Sequence, residues 1–161
     1  MSDIGTIAQK VGTLLKARGE TIAVAESSSG GLISAALLAV PGASAYFKGG
    51  STVYTDGAKR ILMEVSADVM EANRPATQAH ALDLARAAKA RLDADWGMGE
   101  TGAAGPTGNR YGDPPGHSAL GVSGPKERAV ITNTGTEDRY ENMLAFAVAA
   151  LELLERCLED L

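Results

Sequence analysis

The chain has 161 residues, a formal net charge of −5, 45% hydrophobic residues and one cysteine. This length corresponds to one domain with an ordinary hydrophobic core, so we expect a single domain over 1–161. The acidic balance argues against a surface that neutralises nucleic-acid phosphates, and one cysteine excludes a disulfide within the chain. Since no apolar run approaches the roughly 20 residues of a membrane span, we expect a cytoplasmic protein that binds neither membrane nor nucleic acid.

Helical and strand patterns alternate along the chain. Apolar spacing predicts an opening amphipathic helix before Gly19, a strand over 21–26, a helix over 29–39 and a strand over 51–55. Caps and apolar spacing predict a helix over 57–63 capped by Asp56, a short helix capped by Ser66, and a long helix over 77–92. A strand over 96–101, a loop over 102–116, a hairpin of strands over 118–123 and 129–133, and a helix over 137–158 follow. This order predicts an α/β fold with a mixed, mostly parallel sheet of about five strands, one of them antiparallel, and helices on both faces. Such sheets bind ligands beyond the carboxyl ends of their strands, where the turns after 26, 54 and 101 would converge.

The first of these turns is Glu26-Ser27-Ser28-Ser29-Gly30-Gly31, between a strand and a helix. Ser27 ends the strand, and Ser28 or Ser29 is placed to cap the helix, whose free N–H groups would stabilise an anion or a developing oxyanion. Ser27 is then a candidate nucleophile if a base lies near it, although helix capping alone accounts equally well for the serines. Glu26 at a buried strand end needs a partner, either Lys59 or backbone N–H groups, unless it faces solvent.

The second turn runs from Tyr54 to Lys59, which falls in the first turn of the helix that Asp56 is predicted to cap. The positive end of the helix dipole favours a neutral amine at Lys59, and partial burial lowers its pKa in the same direction. Lys59 is therefore a candidate general base, with the Tyr54 hydroxyl to orient or relay the proton. A solvated lysine and a core tyrosine are the simpler interpretation unless Ser27 and Lys59 meet.

The third segment, Thr101 to Gly108, is a glycine-rich loop with hydroxyl groups that can cradle a phosphate. It lacks the Gly-Lys-Ser/Thr ending of a nucleotide-triphosphate loop, and no helix pattern follows the dinucleotide-like string that starts at Gly97. Neither His80 nor His117 has a second ligand at metal-binding spacing, so we predict no metal site.

These segments resemble the CinA C-terminal domain, the nicotinamide mononucleotide deamidase family, over nearly the whole chain. The family pattern Ala-Glu-Ser-Cys-Thr-Gly-Gly is similar to 25–31, its Tyr-x-x-x-x-Lys to 54–59, and its Ser-Gly-x-Ala-Gly-Pro-x-Gly to 101–108. The resemblance implies a three-layer α/β/α sandwich that deamidates nicotinamide mononucleotide to nicotinic acid mononucleotide and ammonia without any cofactor. The implied catalytic residues are Ser27, Tyr54 and Lys59, and the implied substrate-binding residues are Glu26, Ser28, Ser29, Gly30, Gly31, Thr101, Gly102, Ala104, Gly105, Thr107 and Arg139.

The chain departs from the family pattern after Gly108, where 109–117 replaces the family's Lys-Pro-Val-Gly-Thr-Val and its lysine is missing. Arg110 and Arg139 are possible substitutes for the missing cation in holding a substrate phosphate. Two other functions therefore stay open: a noncatalytic nucleotide-binding domain, and a hydrolase of another phosphorylated amide. The alanine-rich helices also leave a homo-oligomer possible.

Overall fold

A computed structural model describes residues 3–160 of the chain. The helices are α1 (Ile4–Arg18), α2 (Leu32–Leu38), α3 (Asp56–Met63), α4 (Ala67–Ala72), α5 (Gln78–Arg91) and α6 (Arg139–Glu159), with a 3-10 turn at Ala43–Ala45. The strands are β1 (Ile22–Glu26), β2 (Phe47–Thr52), β3 (Trp96–Ala103), β4 (His117–Ser123) and β5 (Arg128–Asn133).

The five strands form one sheet in the order β2-β1-β3-β4-β5. β1 pairs in parallel with both β2 and β3, whereas β4 runs antiparallel to β3 and β5. Only β4 therefore runs against the common direction, which confirms the predicted mixed sheet with one antiparallel member. Glu26 at the end of β1 is in register with Thr52 on one side and Glu100 on the other, so the carboxyl ends of three strands lie at one edge.

Helices cover both faces of the sheet, which confirms the three-layer α/β/α sandwich. The larger core joins α1, α2 and α6 to the large side chains of the strands, such as Trp96 and Leu120. The opposite face carries small residues, and α5 lies directly on it: a Cβ atom added to Gly97 would come 1.9 Å from the Ala85 carbonyl oxygen. Alternation of large and small residues in the strands thus sets the close approach of α5.

Three boundaries differ from the prediction. β2 spans Phe47–Thr52 rather than 51–55, because pairing with β1 overrides the weak strand propensity of Gly49 and Gly50. α2 begins at Leu32 rather than 29, since the serines before it form a turn held by side chains. The α3 cap is Thr55, whose hydroxyl accepts from the Ala58 N–H at 3.1 Å, and not Asp56.

The Ser66 hydroxyl caps α4 as predicted, accepting from the Val69 N–H at 3.3 Å. None of the helices within 3–160 combines the length and apolar character that a membrane crossing needs.

Candidate active site

Glu26 is fully buried at the end of β1 and caps α2. Its two carboxylate oxygens accept from the backbone N–H groups of Ile33 at 3.1 Å and Ser34 at 3.0 Å. The N-cap position itself is Gly31, which has a φ of 101° and no side chain to accept a bond. Of the roles expected for Glu26, the structure shows the backbone cap, while the prediction that Ser28 or Ser29 caps α2 is wrong.

Glu100, on β3 beside Glu26, is the second fully buried carboxylate of the site. One oxygen accepts from the backbone N–H groups of Ser27 at 3.0 Å and Ser29 at 2.8 Å. The other accepts from the hydroxyls of Ser28 at 2.5 Å and Ser118 at 2.8 Å. Glu100 therefore organises the whole serine turn around one negative charge, which four donors stabilise.

The Ser29 hydroxyl lies between the two carboxylates, 2.6 Å from Glu26 and 2.9 Å from Glu100. A hydroxyl carries one proton, so it donates to one of these oxygens at a time. Ser29 is thus a bridge inside the protein, and its hydroxyl is not open to a substrate.

Lys59 lies on α3 and is only 2% exposed. Burial lowers the pKa of its amine, and the negative charges of Asp56 and Glu100 oppose this change without outweighing it. A lowered pKa raises the fraction of neutral amine, which is the form that accepts a proton. The direction of this pKa change favours the neutral form of the Lys59 amine.

Glu100 is the common neighbour of the predicted nucleophile and the predicted base. Its carboxylate holds the Ser27 backbone N–H at 3.0 Å, and its charge acts on the Lys59 amine. Among the hydrogen bonds of residues 3–160, none joins the Ser27 hydroxyl to the Lys59 amine directly. The Ser27 hydroxyl and the Lys59 amine are therefore not hydrogen-bonded in this structure, and the Glu100 carboxylate is what links their surroundings.

Tyr54 follows β2 and is 59% exposed. Arg139, the first residue of α6, donates to the Tyr54 hydroxyl at 3.3 Å and to the Gly105 carbonyl at 2.5 Å. Arg139 thus joins the end of β2 to the glycine-rich loop, and brings two predicted site residues together. Tyr54 lies at the open rim of the site, in contrast to the buried Lys59.

The loop after β3 is tied to α6 by its carbonyl groups. Asn142 donates to the Ala104 carbonyl at 2.7 Å, beside the bond between Arg139 and Gly105. The Thr101 hydroxyl is buried and accepts from the Ala76 N–H at 3.0 Å, so it anchors the start of α5. Thr107 is exposed at the tip of the loop.

The glycines of the site allow close packing. Gly30 has a φ of 67°, and a Cβ atom there would lie 2.6 Å from the Met143 Cε atom of α6. Gly102 lies against β4, where a Cβ atom would come 2.6 Å from the His117 carbonyl oxygen. Both positions therefore keep the serine turn and β3 close to their neighbours.

Sequence reasoning missed Glu100, Ser118 and Asn142, and it considered His80 only as a metal ligand. All four side chains are fully buried. Glu100 lies within the rejected dinucleotide-like string, where a carboxylate in a strand carries no local signal of its partners. An alignment of strand 22–26 with strand 96–100 would have placed Glu100 next to Glu26, and this pairing could have identified Glu100 as a site residue.

Within 3–160, no group of three His, Cys, Asp or Glu side chains has the arrangement of a metal site. The site is built instead from carboxylates that accept hydrogen bonds, hydroxyls and one buried amine.

The fold and this site define an α/β domain with a serine turn anchored on two carboxylates at the carboxyl edge of the sheet. The family model of the CinA C-terminal domain matches residues 4–158. The chain belongs to this family, which confirms the resemblance read from its motifs.

Among similar proteins, the CinA-like protein of Acidobacterium capsulatum is 37% identical over 151 residues, which are 94% of this chain and 36% of that protein. The CinA-like protein of Synechocystis sp. is 42% identical over 127 residues, 79% of this chain and 30% of that protein. The chain thus spans about a third of the length of the curated relatives that it matches.

Solved structures share the fold. A competence-damaged protein (CinA) superfamily protein from Klebsiella pneumoniae superposes with a TM-score of 0.92 at 24% identity, covering 99% of this chain and 100% of that one. The competence/damage inducible protein CihA from Agrobacterium tumefaciens gives a TM-score of 0.87 at 30% identity, covering 99% and 97% of the two chains.

Proposed function

We propose that this chain is an amidohydrolase that converts nicotinamide mononucleotide to nicotinic acid mononucleotide and ammonia. One observation carries the proposal: the Lys59 amine is buried, and burial lowers its pKa. The Glu100 carboxylate acts on this amine and also holds the Ser27 backbone N–H. Membership of the CinA family supports the same assignment. In this role the protein would serve pyridine nucleotide salvage.

The reaction begins when the neutral Lys59 amine takes the proton of the Ser27 hydroxyl. The Ser27 oxygen then attacks the carboxamide carbon, and the carbonyl electron pair moves onto its oxygen. The Lys59 ammonium returns the proton to the leaving nitrogen as the C–N bond breaks, so ammonia leaves and an acyl-enzyme remains. Water, deprotonated by Lys59, then hydrolyses this ester, and the proton returns to the Ser27 oxygen. General acid–base catalysis of this kind contributes roughly 10²–10⁴-fold to the rate.

The N–H groups available to the oxyanion are fewer than the sequence indicated. The Ser29 N–H donates to Glu100 and the Gly30 N–H to the Ser27 carbonyl, at 2.8 and 3.1 Å. The Gly31 N–H makes no such bond to any residue of 3–160, so we assign the oxyanion to this donor at the start of α2. The Glu26 carboxylate already neutralises the positive end of α2.

The other end of the substrate carries a phosphate, for which Arg139 is the best candidate. Its guanidinium already contacts the Tyr54 hydroxyl and the Gly105 carbonyl, so it lies where the open rim meets the glycine-rich loop. Arginine binds phosphate in a planar, two-pronged geometry that suits such a position.

A noncatalytic nucleotide-binding domain is the second candidate, and the segment that differs from the family favours it. Asn109 closes this segment by accepting from the Asp113 N–H at 3.1 Å. Arg74 and Arg110 stack on the Tyr111 ring at 4.8 and 5.0 Å. Arg74 is also paired with Asp113 at 2.9 Å, so Arg110 is the cation that this surface offers to an anion. Such a surface suits phosphate binding without any need for turnover. Hydrolysis of a different phosphorylated amide is the third candidate function, and the same surface would bind its phosphate.

Incubation of the purified protein with nicotinamide mononucleotide tests the proposal, with ammonia and nicotinic acid mononucleotide measured together. We expect equal amounts of both products, and a loss of several orders of magnitude in kcat for Ser27→Ala. Ser44→Ala, at an exposed position away from the turn, is the matched control and should keep full activity.

Calorimetric binding of the mononucleotide without product would favour the noncatalytic domain instead. A panel of phosphorylated amides identifies the third function if one of them is hydrolysed and the mononucleotide is not. Full activity of Ser27→Ala would exclude Ser27 as the nucleophile.

A further inference from the structure

The imidazole of His80, on α5, is fully buried and has one unsatisfied nitrogen. Its Nδ1 atom lies 2.7 Å from the Asn73 carbonyl oxygen, which can only accept, so the proton is on Nδ1 and the lone pair on Nε2. Among the buried side-chain atoms of residues 3–160, Nε2 is the one that has no hydrogen-bond partner. An acceptor left without a donor in the interior is costly, so a donor that reaches it has a clear role.

Lys59, on the neighbouring helix α3, is the candidate donor, and no hydrogen bond joins its amine to Nε2 in this structure. α3 and α5 pack together in the smaller core, through side chains such as Met63 and Leu84. Of the charged groups that act on His80, Lys59 has the largest effect, ahead of Asp83 and Asp56. Burial and the Lys59 charge both lower the pKa of His80, so its imidazole stays neutral and keeps the lone pair.

We propose that His80 is a positioning residue for Lys59, accepting a hydrogen bond from the lysine amine through the unpaired Nε2 atom. The catalytic part of this inference rests on the proposed function. When the Ser27 proton moves to Lys59, the new ammonium has three N–H donors. One of these N–H groups donates to His80, while another gives its proton to the leaving nitrogen. His80 therefore neither gains nor loses a proton in the cycle.

Two substitutions at this position separate the hydrogen bond from simple packing. The short side chain of His80→Asn reproduces the Nδ1 donor that contacts Asn73 and cannot reach the Nε2 position. The longer His80→Gln places an amide oxygen at the Nε2 position as an acceptor. Because the acceptor favours the charged amine, its loss should lower the Lys59 pKa further.

The direct readout is the pKa of Lys59, followed by NMR in protein labelled at the lysine Cε and Nζ atoms and assigned with Lys59→Arg. We expect His80→Asn to lower this pKa by about one unit and His80→Gln to leave it near the wild-type value. An equal pKa in all three proteins, or an equal change in both variants, would overturn the inference. Asp56 and Glu100 also act on Lys59 and are unchanged in every protein compared.

This readout needs no turnover, so it is independent of whether the mononucleotide is the substrate. Where turnover is present, His80→Asn should reduce kcat about tenfold with little change in KM, since a charged hydrogen bond of the transition state is lost. Its pH–rate profile should also move to lower pH, and His80→Gln should restore both values. A reduced kcat with an unmoved pH profile would assign His80 a packing role only and overturn the inference.

Discussion

The Glu100 carboxylate accepts hydrogen bonds from the serine turn, and two substitutions of Glu100 separate the effect of its charge from the effect of its hydrogen bonds. In Glu100→Leu the buried Ser29 N–H and the Ser28 hydroxyl lose their acceptor, whereas the Ser27 N–H keeps the Glu100 backbone carbonyl at 3.1 Å. Each unsatisfied buried donor costs about 1–3 kcal/mol, which gives ~2–6 kcal/mol for the pair. A domain of this size is stable by about 5–15 kcal/mol, so the variant should lose much of its stability.

Glu100→Gln should behave differently, because its amide oxygen still accepts from the N–H groups of Ser27 and Ser29. Its amide nitrogen donates to the hydroxyls of Ser28 and Ser118, which turn to accept. Relief of the like charge of Glu26 offsets part of the lost charge-assisted bonding, so we expect a cost below ~1.5 kcal/mol.

Urea denaturation followed by circular dichroism measures both free energies of unfolding. Glu71, exposed on α4, supplies matched controls, since its replacement by Leu or Gln should change the free energy by less than ~0.5 kcal/mol. Equal stability of Glu100→Leu and Glu100→Gln would refute the view that buried donors of the serine turn depend on this carboxylate.

Three further outcomes are expected. Gly99→Ala would set a Cβ atom 2.1 Å from a backbone oxygen of α5 and should cost about 3 kcal/mol or more. Gly57→Ala, on α3, would place its Cβ atom at an ordinary contact distance of 3.9 Å from the Thr55 hydroxyl and should stabilise by ~0.5–1 kcal/mol. Thermal unfolding compares them, and equal effects would contradict the close packing of α5. Arg86 lowers the Glu127 pKa from 4.5 to about 2, so this pair stabilises the fold above pH 4.5 and the gain is lost as pH falls through about 2. Arg86→Met should therefore cost under ~1 kcal/mol at neutral pH, since both side chains are more than a third exposed, and progressively less as the pH falls from 4.5 toward 2. A pH-independent cost would be inconsistent with the pair. Arg139→Ala should raise KM for nicotinamide mononucleotide by ~10–100-fold and leave KM for the phosphate-free riboside unchanged. An equal rise in KM for both substrates would count against phosphate binding by Arg139.

The fold was largely predictable because its signals are local. Helical spacing and flanking breakers locate α1, α5 and α6. The alternation of strands with helices predicts that most strands of the sheet are parallel. The position of β2 was not predictable, since Gly49 and Gly50 carry no strand preference and gain it only by pairing with β1.

The site was predictable only in part, because its chemistry depends on contacts between distant residues. The predicted order of strands and helices placed the turns after β1, β2 and β3 at one edge of the sheet. The position of Lys59 at the start of a helix identified it as a candidate base. The serines were read as caps because serine commonly caps helices, whereas Glu26 performs that role here. Glu100 and His80 act through partners far away in the chain, so no local pattern indicates them.

The rate of ammonia release from nicotinamide mononucleotide, measured against pH for wild-type protein and Lys59→Met, tests the central claim most directly. If a neutral Lys59 amine activates Ser27, the wild-type rate rises with pH to a plateau reached below the ordinary lysine pKa of 10.5, because burial lowers that pKa. Lys59→Met should lose this dependence and fall by roughly 10²–10⁴-fold, while Lys10→Met, at an exposed position on α1, should match the wild type. A Lys59→Met variant with the wild-type rate and pH profile would contradict the account.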